Sequence, residues 1–233
     1  MKRFYKDASA GVLDDGSGFG VLLDGRPVRT PAKAVLAVPT QAFAEAVAAE
    51  WNAQSDDVDP ETMPLMRVAC TAMDHVAITR AEREAEAARF GETDLVCYRV
   101  TDPAALVERQ RAAWDPLIDW ASSRFGAALV STSDALAVRQ PTGALEALAA
   151  AVSGRDIWTL TALLAAVRAS GSLVVGLAMM EGRLDAEGAF EAAEIEETWQ
   201  IERWGEDSEA TARREGLKRE LATAERVFAL VRP

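Results

Sequence analysis

The chain carries one histidine, His75, and two cysteines, Cys70 and Cys97. A Ser–His–acid triad needs its histidine beside a nucleophile, so only His75 could act as the base. No Gly-x-Ser-x-Gly elbow accompanies it. His75 follows Cys70 by five residues, which is not a usual spacing for a zinc pair on one helix, and no Cys-x-x-Cys occurs. These residues predict a partly buried structural histidine and two buried, reduced thiols in apolar runs. Two cysteines are too few for a disulfide framework. Gly16, Gly18 and Gly20 alternate, but a strand follows rather than a helix, and no Lys-Ser or Lys-Thr comes after. They read as a turn, not a phosphate cradle. Carboxylates are numerous enough for a two-carboxylate hydrolase, yet nothing singles out one pair as catalytic. Neither a cofactor nor a metal site is expected.

The segment Glu191 to Glu209 is more informative. It holds Glu191, Glu194, Glu196, Glu197, Glu202, Glu206, Asp207 and Glu209 against Arg203 alone, a net −7 of the chain's −12. At about 100° per helical residue, Phe190, Ala193, Glu194, Glu197, Ile201 and Trp204 share one stripe. Ile195 and Trp199 fall on the opposite side. An ordinary surface helix has one apolar face. This one places carboxylates in its apparent core stripe and a tryptophan across from them. Two readings follow: solvated acids with Trp199 packed on a neighbour, or a mixed acidic and aromatic face that docks a partner. Tryptophan is enriched among binding hot spots, and acids around it would select and steer a basic or amphipathic surface. The candidate partner-binding residues are Glu194, Glu197, Trp199, Trp204, Glu206 and Asp207. Trp51, beside Glu50 at a helix end, is a further candidate that could face an interdomain groove. Trp114, Trp120 and Trp158 fit helix cores.

The whole chain has 233 residues, with 37 acidic against 25 basic side chains. That balance argues against a nucleic-acid backbone as partner, because phosphate binding needs clustered Lys and Arg. A hydrophobic fraction of 49% is enough for a substantial core. The N-terminal residues from Met1 to Asp7 carry charge but no apolar run, unlike a secretory signal. Acids at Asp7, Asp14 and Asp15 also argue against a transit peptide. The apolar stretch from Ile157 to Met180 contains Arg168, whose insertion at a membrane midplane would cost about 2.5–3.5 kcal/mol. Ser170-Gly171-Ser172 then stops one helix and caps the next. The stretch therefore predicts two buried helices, in a soluble, cytosolic protein.

The elements that must position these residues change character near residue 100. Residues 1–40 read as β-rich: Phe19 to Leu23, an Asp24-Gly25 turn, then Arg26 to Thr30 form a hairpin signal. Val35 to Val38 could add a strand. Thr40 reads as the cap of a helix through Phe43, Val47 and Trp51. Another helical pattern runs from Leu65 to Val76, and its charged continuation, Ala81 to Arg89, is expected to be exposed. Asp102 should cap the next helix, with Pro103 in its first turn. A kink or break is expected at Pro116. Residues 127–139 read as an extended excursion. Helices follow at about 143–152, 156–169, 172–181, 186–204 and 208–231. The last carries Leu217, Leu221, Ala224, Phe228 and Val231 on one face. The expected fold is α+β: an N-terminal domain of a small antiparallel sheet plus helices over 1–101, then an all-helical domain over 102–233.

Five segments in order carry a resemblance. They are Asp24-Gly25-Arg26-Pro27-Val28-Arg29-Thr30-Pro31, Glu50-Trp51-Asn52-Ala53-Gln54 and Thr93-Asp94-Leu95-Val96-Cys97-Tyr98-Arg99. Two more are Gln110 to Trp120 and Glu196 to Gly205. With them the chain resembles the ATP-twelve (ATP12) family over nearly its whole length. The resemblance implies a non-enzymatic assembly chaperone. It would bind the unassembled alpha subunit of the ATP synthase F-one head, prevent its aggregation and yield it to the beta subunit. It implies an N-terminal α+β domain followed by a helical domain. It also adds weight to Glu194, Glu197 and Trp204, which match a region implicated in the family's function. A bacterial cytoplasmic member is expected, monomeric when free, with organellar relatives in the mitochondrial matrix. The competing readings are a small cytosolic hydrolase with paired carboxylates in an interdomain cleft, and a general adaptor or holdase.

Overall fold

The computed structural model describes residues 1–134, 138–205 and 207–232. It is α+β, with a three-stranded antiparallel sheet near the N-terminus and helices through the rest. Two compact units are present. The first comprises Met1–Arg80, Asp156–Ala162 and Arg226–Pro233, and the second Ala81–Arg155 and Leu163–Glu225. The division at Arg80 and the two late segments in the first unit differ from a simple 1–101 and 102–233 split. Sequence order does not record which late helical turns join the N-terminal unit.

In the first unit, β1 (Ala8–Val12), β2 (Phe19–Leu23) and β3 (Arg26–Pro27) lie in that order. The register pairs Ala8 with Leu23 and Val12 with Phe19. Asp24 and Gly25 have φ of 48° and 81°, the left-handed pair a two-residue hairpin needs. The Asp24 carboxylate accepts from the Lys6 and Asp7 amides, which fixes the chain entering β1. Gly18 has φ 134°, and a Cβ there would lie 2.7 Å from the Val38 carbonyl oxygen. The glycine run is thus a turn before β2, as its sequence implies. Residues 35–38 form isolated bridges, Arg29 to Val35 and Phe19 to Val38, rather than a further strand.

Helix α1 (Gln41–Asn52) starts at Thr40, whose hydroxyl accepts from the Phe43 amide. Its inner face buries Phe43, Ala44, Val47 and Ala48. Trp158 meets Phe43 edge to face at 5.9 Å. Helix α2 (Pro64–Thr71) is capped from a distance, because the buried Glu50 carboxylate accepts from the Leu65 and Met66 amides. It passes into a π-turn at Ala72–Val76. His75 lies on the exposed side of that turn, so it is not the partly buried histidine its apolar neighbours suggested.

Helix α3 (Arg80–Arg89) leads toward Asp94, which is fully buried. Glu86 on α3 is not simply solvated: it pairs with Arg83 and with Arg168, all three within the second unit. Helix α4 (Ala104–Phe125) begins after Pro103, whose ψ of 153° makes it the cap residue. Asp102 therefore does not cap this helix. Nor does Pro116 break α4. Its ring lies on the exposed side, while Trp114 and Leu117 anchor the turns on either side in the core. After Thr132, which bridges Tyr98, the excursion enters residues 135–137, outside those described.

Helices α5 (Thr142–Val152), α6 (Ile157–Ser170) and α7 (Leu173–Met180) complete most of the helical core. Every residue of α7 is buried. Gly171 at φ 69° makes the turn between α6 and α7, and Ser172 caps α7. No helix among the described residues is long and apolar enough to cross a membrane. Helix α10 (Ser208–Leu230) buries Leu221, Ala224, Val227 and Phe228, with Leu217 and Val231 half-buried at the ends of that face.

Candidate functional site

The acidic segment folds as two helices, not one. Asp185 caps α8 (Ala186–Ala193) by accepting from the Gly188 amide at 2.8 Å. The backbone leaves helical geometry at Glu194 (φ −109°, ψ 21°), and α9 (Ile195–Trp204) begins there. This break resets the helical phase. The stripe from Phe190 to Trp204 therefore does not exist as one face. Ile195 and Trp199 form the buried side of α9, while Trp204 is 76% exposed.

Glu194 is buried at the junction. Its carboxylate accepts from both terminal nitrogens of Arg213, at 3.1 and 2.8 Å, and from Arg214 at 2.8 Å. Arg214 also donates to the Thr198 hydroxyl at 3.1 Å. The expected outward carboxylate is thus an internal tie between the α8–α9 junction and α10. Trp199 is likewise enclosed, with the Arg109 and Arg203 guanidinium carbons 4.8 and 3.4 Å from its ring centre. Such cation–π contacts cover an indole that could not otherwise close off its faces. Arg109 in turn pairs with Glu202 at 2.8 Å and holds that carboxyl below its usual range.

Helix α4 fastens this region from below. Gln110 is fully buried, donates to Glu196 at 2.7 Å and accepts from the Val100 amide at 2.9 Å. Trp114 donates its indole N–H to the Ala192 carbonyl at 2.8 Å. Arg99 lies over the other side of Trp114 and pairs with Asp115 at 2.8 Å. The Gln110-to-Trp120 motif is therefore a mounting for α8 and α9. Sequence reasoning missed Arg109, Gln110, Arg213 and Arg214. The adjacent arginines after an acidic run were the available signal.

Of the candidate residues, Trp204, Glu197 and Asp207 remain accessible to differing degrees. Glu197 is half-buried. Asp207 is exposed but partly committed, since it caps α10 by accepting from the Glu209 and Ala210 amides at 2.9 Å. Glu206 lies outside the described residues. Trp51 is buried in the first unit, edge to face with Tyr5 at 5.4 Å, and Tyr5 donates to its carbonyl at 2.6 Å. Its ring presents no open face. The aromatic surface these residues still offer is the Trp204 indole.

Two carboxyl groups are pushed up by burial, Asp94 to about 6 and Glu50 in the same direction. Both already accept from backbone amides at helix starts, which is a structural task. Burial also pushes the Cys97 thiol up to about 12 and the half-buried Cys70 thiol up to about 11. Neither cysteine is in a disulfide, and thiols held this high are poor nucleophiles. No group of three or more His, Cys, Asp or Glu among the described residues could hold a metal ion.

A sequence profile of the ATP12 chaperone proteins matches residues 2–122. The mitochondrial atp12 protein of Schizosaccharomyces pombe is 25% identical over 237 residues, covering 96% of this chain and 81% of that one. The crystal structure of Atp12 from Paracoccus denitrificans matches with a TM-score of 0.94 at 41% identity, covering 99% of this chain and 98% of the other. The Atu1473 protein of Agrobacterium tumefaciens matches with a TM-score of 0.93 at 38% identity, covering 99% and 86%.

Proposed function

The chain belongs to the ATP12 family of chaperone proteins, and from that premise we propose that it is an assembly chaperone of ATP synthase. It binds the unassembled alpha subunit of the F-one head, keeps it from aggregating, and yields it to the beta subunit. The observation that carries this reading is Trp204, an indole 76% exposed at the end of a helix whose other tryptophan is enclosed. An indole left in water at a helix end favours contact with another protein. Glu197, seven residues before it, and Asp207, three residues after it, would bias the approach of a basic or amphipathic surface.

An alpha subunit without its neighbour exposes apolar surface that is otherwise covered, and such surface aggregates. A chaperone for it must bind more weakly than the final partner, because release has to follow. A small aromatic contact with a polar surround suits that exchange better than a broad apolar one. The work requires no bond making, and we assign no catalytic role. We place the protein in a bacterial cytoplasm, with the mitochondrial matrix for organellar relatives.

Co-purification tests the reading. The tagged protein, added to lysate from cells that make ATP synthase, should return the alpha subunit selectively and without nucleotide. Glu197→Lys should weaken that capture with the fold intact. A folded, tagged protein that returns no alpha subunit would overturn the assignment.

A further inference from the structure

Between α4 on one side and α8 and α9 on the other lies an open trough of about 590 Å3. Its floor is Leu117, Ala192 and Ile195, which are also part of the core. Its walls carry Ala112, Ala113 and Gly188. Large side chains on facing helices interdigitate and fill the space between them. Alanine and glycine here leave that space unfilled, and Ala112 is exposed.

Two charged side chains line the trough. Arg109 is committed, through its pair with Glu202 and its cover over Trp199. Glu191 is exposed and forms no ion pair among the described residues. Glu187 precedes it by one helical turn on α8 and is also exposed, so two like charges lie at i and i+4. Such a spacing is repulsive in an isolated helix. Arg183, just before α8, forms an ion pair with neither. The uncompensated charge at this lip is negative.

We infer that the trough seats a basic amphipathic helix of the client, its apolar side chains on the floor and a Lys or Arg at the lip opposite Glu191. This rests on the chaperone reading and adds to it the seat and the chemistry of the bound segment. A helix is the form that fits. The walls are helices whose backbone groups are already paired, so an incoming segment must satisfy its own N–H and C=O groups. The volume falls within the roughly 300–1,000 Å3 typical of ligand sites, enough for a few side chains of one helix face.

The test uses the whole protein and two labelled 16-residue helical peptides, one of Leu and Lys and one of Leu and Glu, followed by fluorescence anisotropy. The Leu/Lys peptide should bind and the Leu/Glu peptide should not. Ala112→Trp fills the trough from an exposed position and should weaken binding about tenfold or more. Ala112→Lys, which puts a cation there, gives the same result without adding a bulky ring. Glu191→Lys should weaken binding, whereas Glu146→Lys, with the same charge change on the exposed face of α5, should not. Unchanged binding in both Ala112 variants would overturn the inference. So would equal losses in Glu191→Lys and Glu146→Lys, which would mean general charge attraction, or a self-dimer in sedimentation that Ala112→Trp disrupts. The same proteins are then offered the alpha subunit. Capture by the parent but not by Ala112→Trp supports both readings. Equal capture by both keeps the chaperone reading and removes the trough. Peptide binding with no alpha-subunit capture keeps the trough and removes the chaperone reading.

Discussion

Arg203 holds its guanidinium carbon 3.4 Å from the centre of the Trp199 ring, one turn away on the same helix. The helix thereby closes over its own inward tryptophan. With Arg109 on the same indole, Trp199 is a structural residue, and Trp204 is the indole of α9 that stays exposed.

Trp204→Ala should therefore separate binding from folding. The side chain is 76% exposed, so its loss should change stability by no more than about 0.5 kcal/mol. Loss of a hot-spot tryptophan costs about 2 kcal/mol or more of binding, roughly thirtyfold in affinity. Denaturant melts and alpha-subunit titrations on the same preparation decide this. A large stability loss would show that the indole is not free.

Glu194→Gln should do the reverse. The Glu194 side chain is 7% exposed and that of its partner Arg214 13%, while Arg213 remains 52% exposed. Removing one partner of a buried ion pair leaves the other uncompensated, at a cost of about 3 kcal/mol. The urea midpoint should fall, and client affinity should be unchanged at temperatures where the variant stays folded. Weakened binding with an unchanged midpoint would return Glu194 to the contact surface.

Asp94 gives a pH signature. Its carboxyl is raised from 3.8 to about 6 in the fold, chiefly by burial. The folded state thus holds this proton more tightly than the unfolded chain does. The cost of ionising it is fully present above about pH 6 and disappears as pH falls toward 3.8, on the order of 3 kcal/mol. Asp94→Asn cannot titrate, and its amide would face the Val174 N–H that the carboxylate now accepts at 3.0 Å. The variant should be less stable at pH 7. The gap between parent and variant, read from urea midpoints, should widen from pH 6 to pH 4. A constant gap would mean that Asp94 has an ordinary acidity.

Asn52→Ala probes the first unit. The Asn52 amide accepts from the Ala8 N–H at 2.9 Å and donates to the Ala8 carbonyl at 2.6 Å, acting as a strand edge for the start of β1. Its removal should cost about 1–2 kcal/mol and speed hydrogen exchange at the Ala8 amide. Alpha-subunit capture should not change. If Ala8 remains protected, the edge is held by something other than Asn52.

Much of the fold was legible because its signals are local. The Asp24-Gly25 turn, the Thr40 cap and the Ser172 cap each act within a few residues, and the strand or helix beside each begins where that chemistry requires. Asp102-Pro103 predicts a start one residue too early, since Pro103 itself takes the extended cap geometry. Pro116 predicts a break from its local chemistry, because nothing local records that Trp114 and Leu117 hold the flanking turns in the core.

The amino-acid sequence by itself determined most of the element order, the α+β class, the family and the acidic character of the α8–α9 region. Those depend on near-neighbour chemistry and on residue types in order. Only the tertiary structure decided which acids and indoles of that region face water. Glu194 is enclosed because Arg213, 19 residues later, reaches it, and Trp199 because Arg109 on α4 lies over its ring. The phase of α9 itself follows from the backbone break at Glu194. Burial is a property of what packs against a side chain, and those partners are distant along the chain.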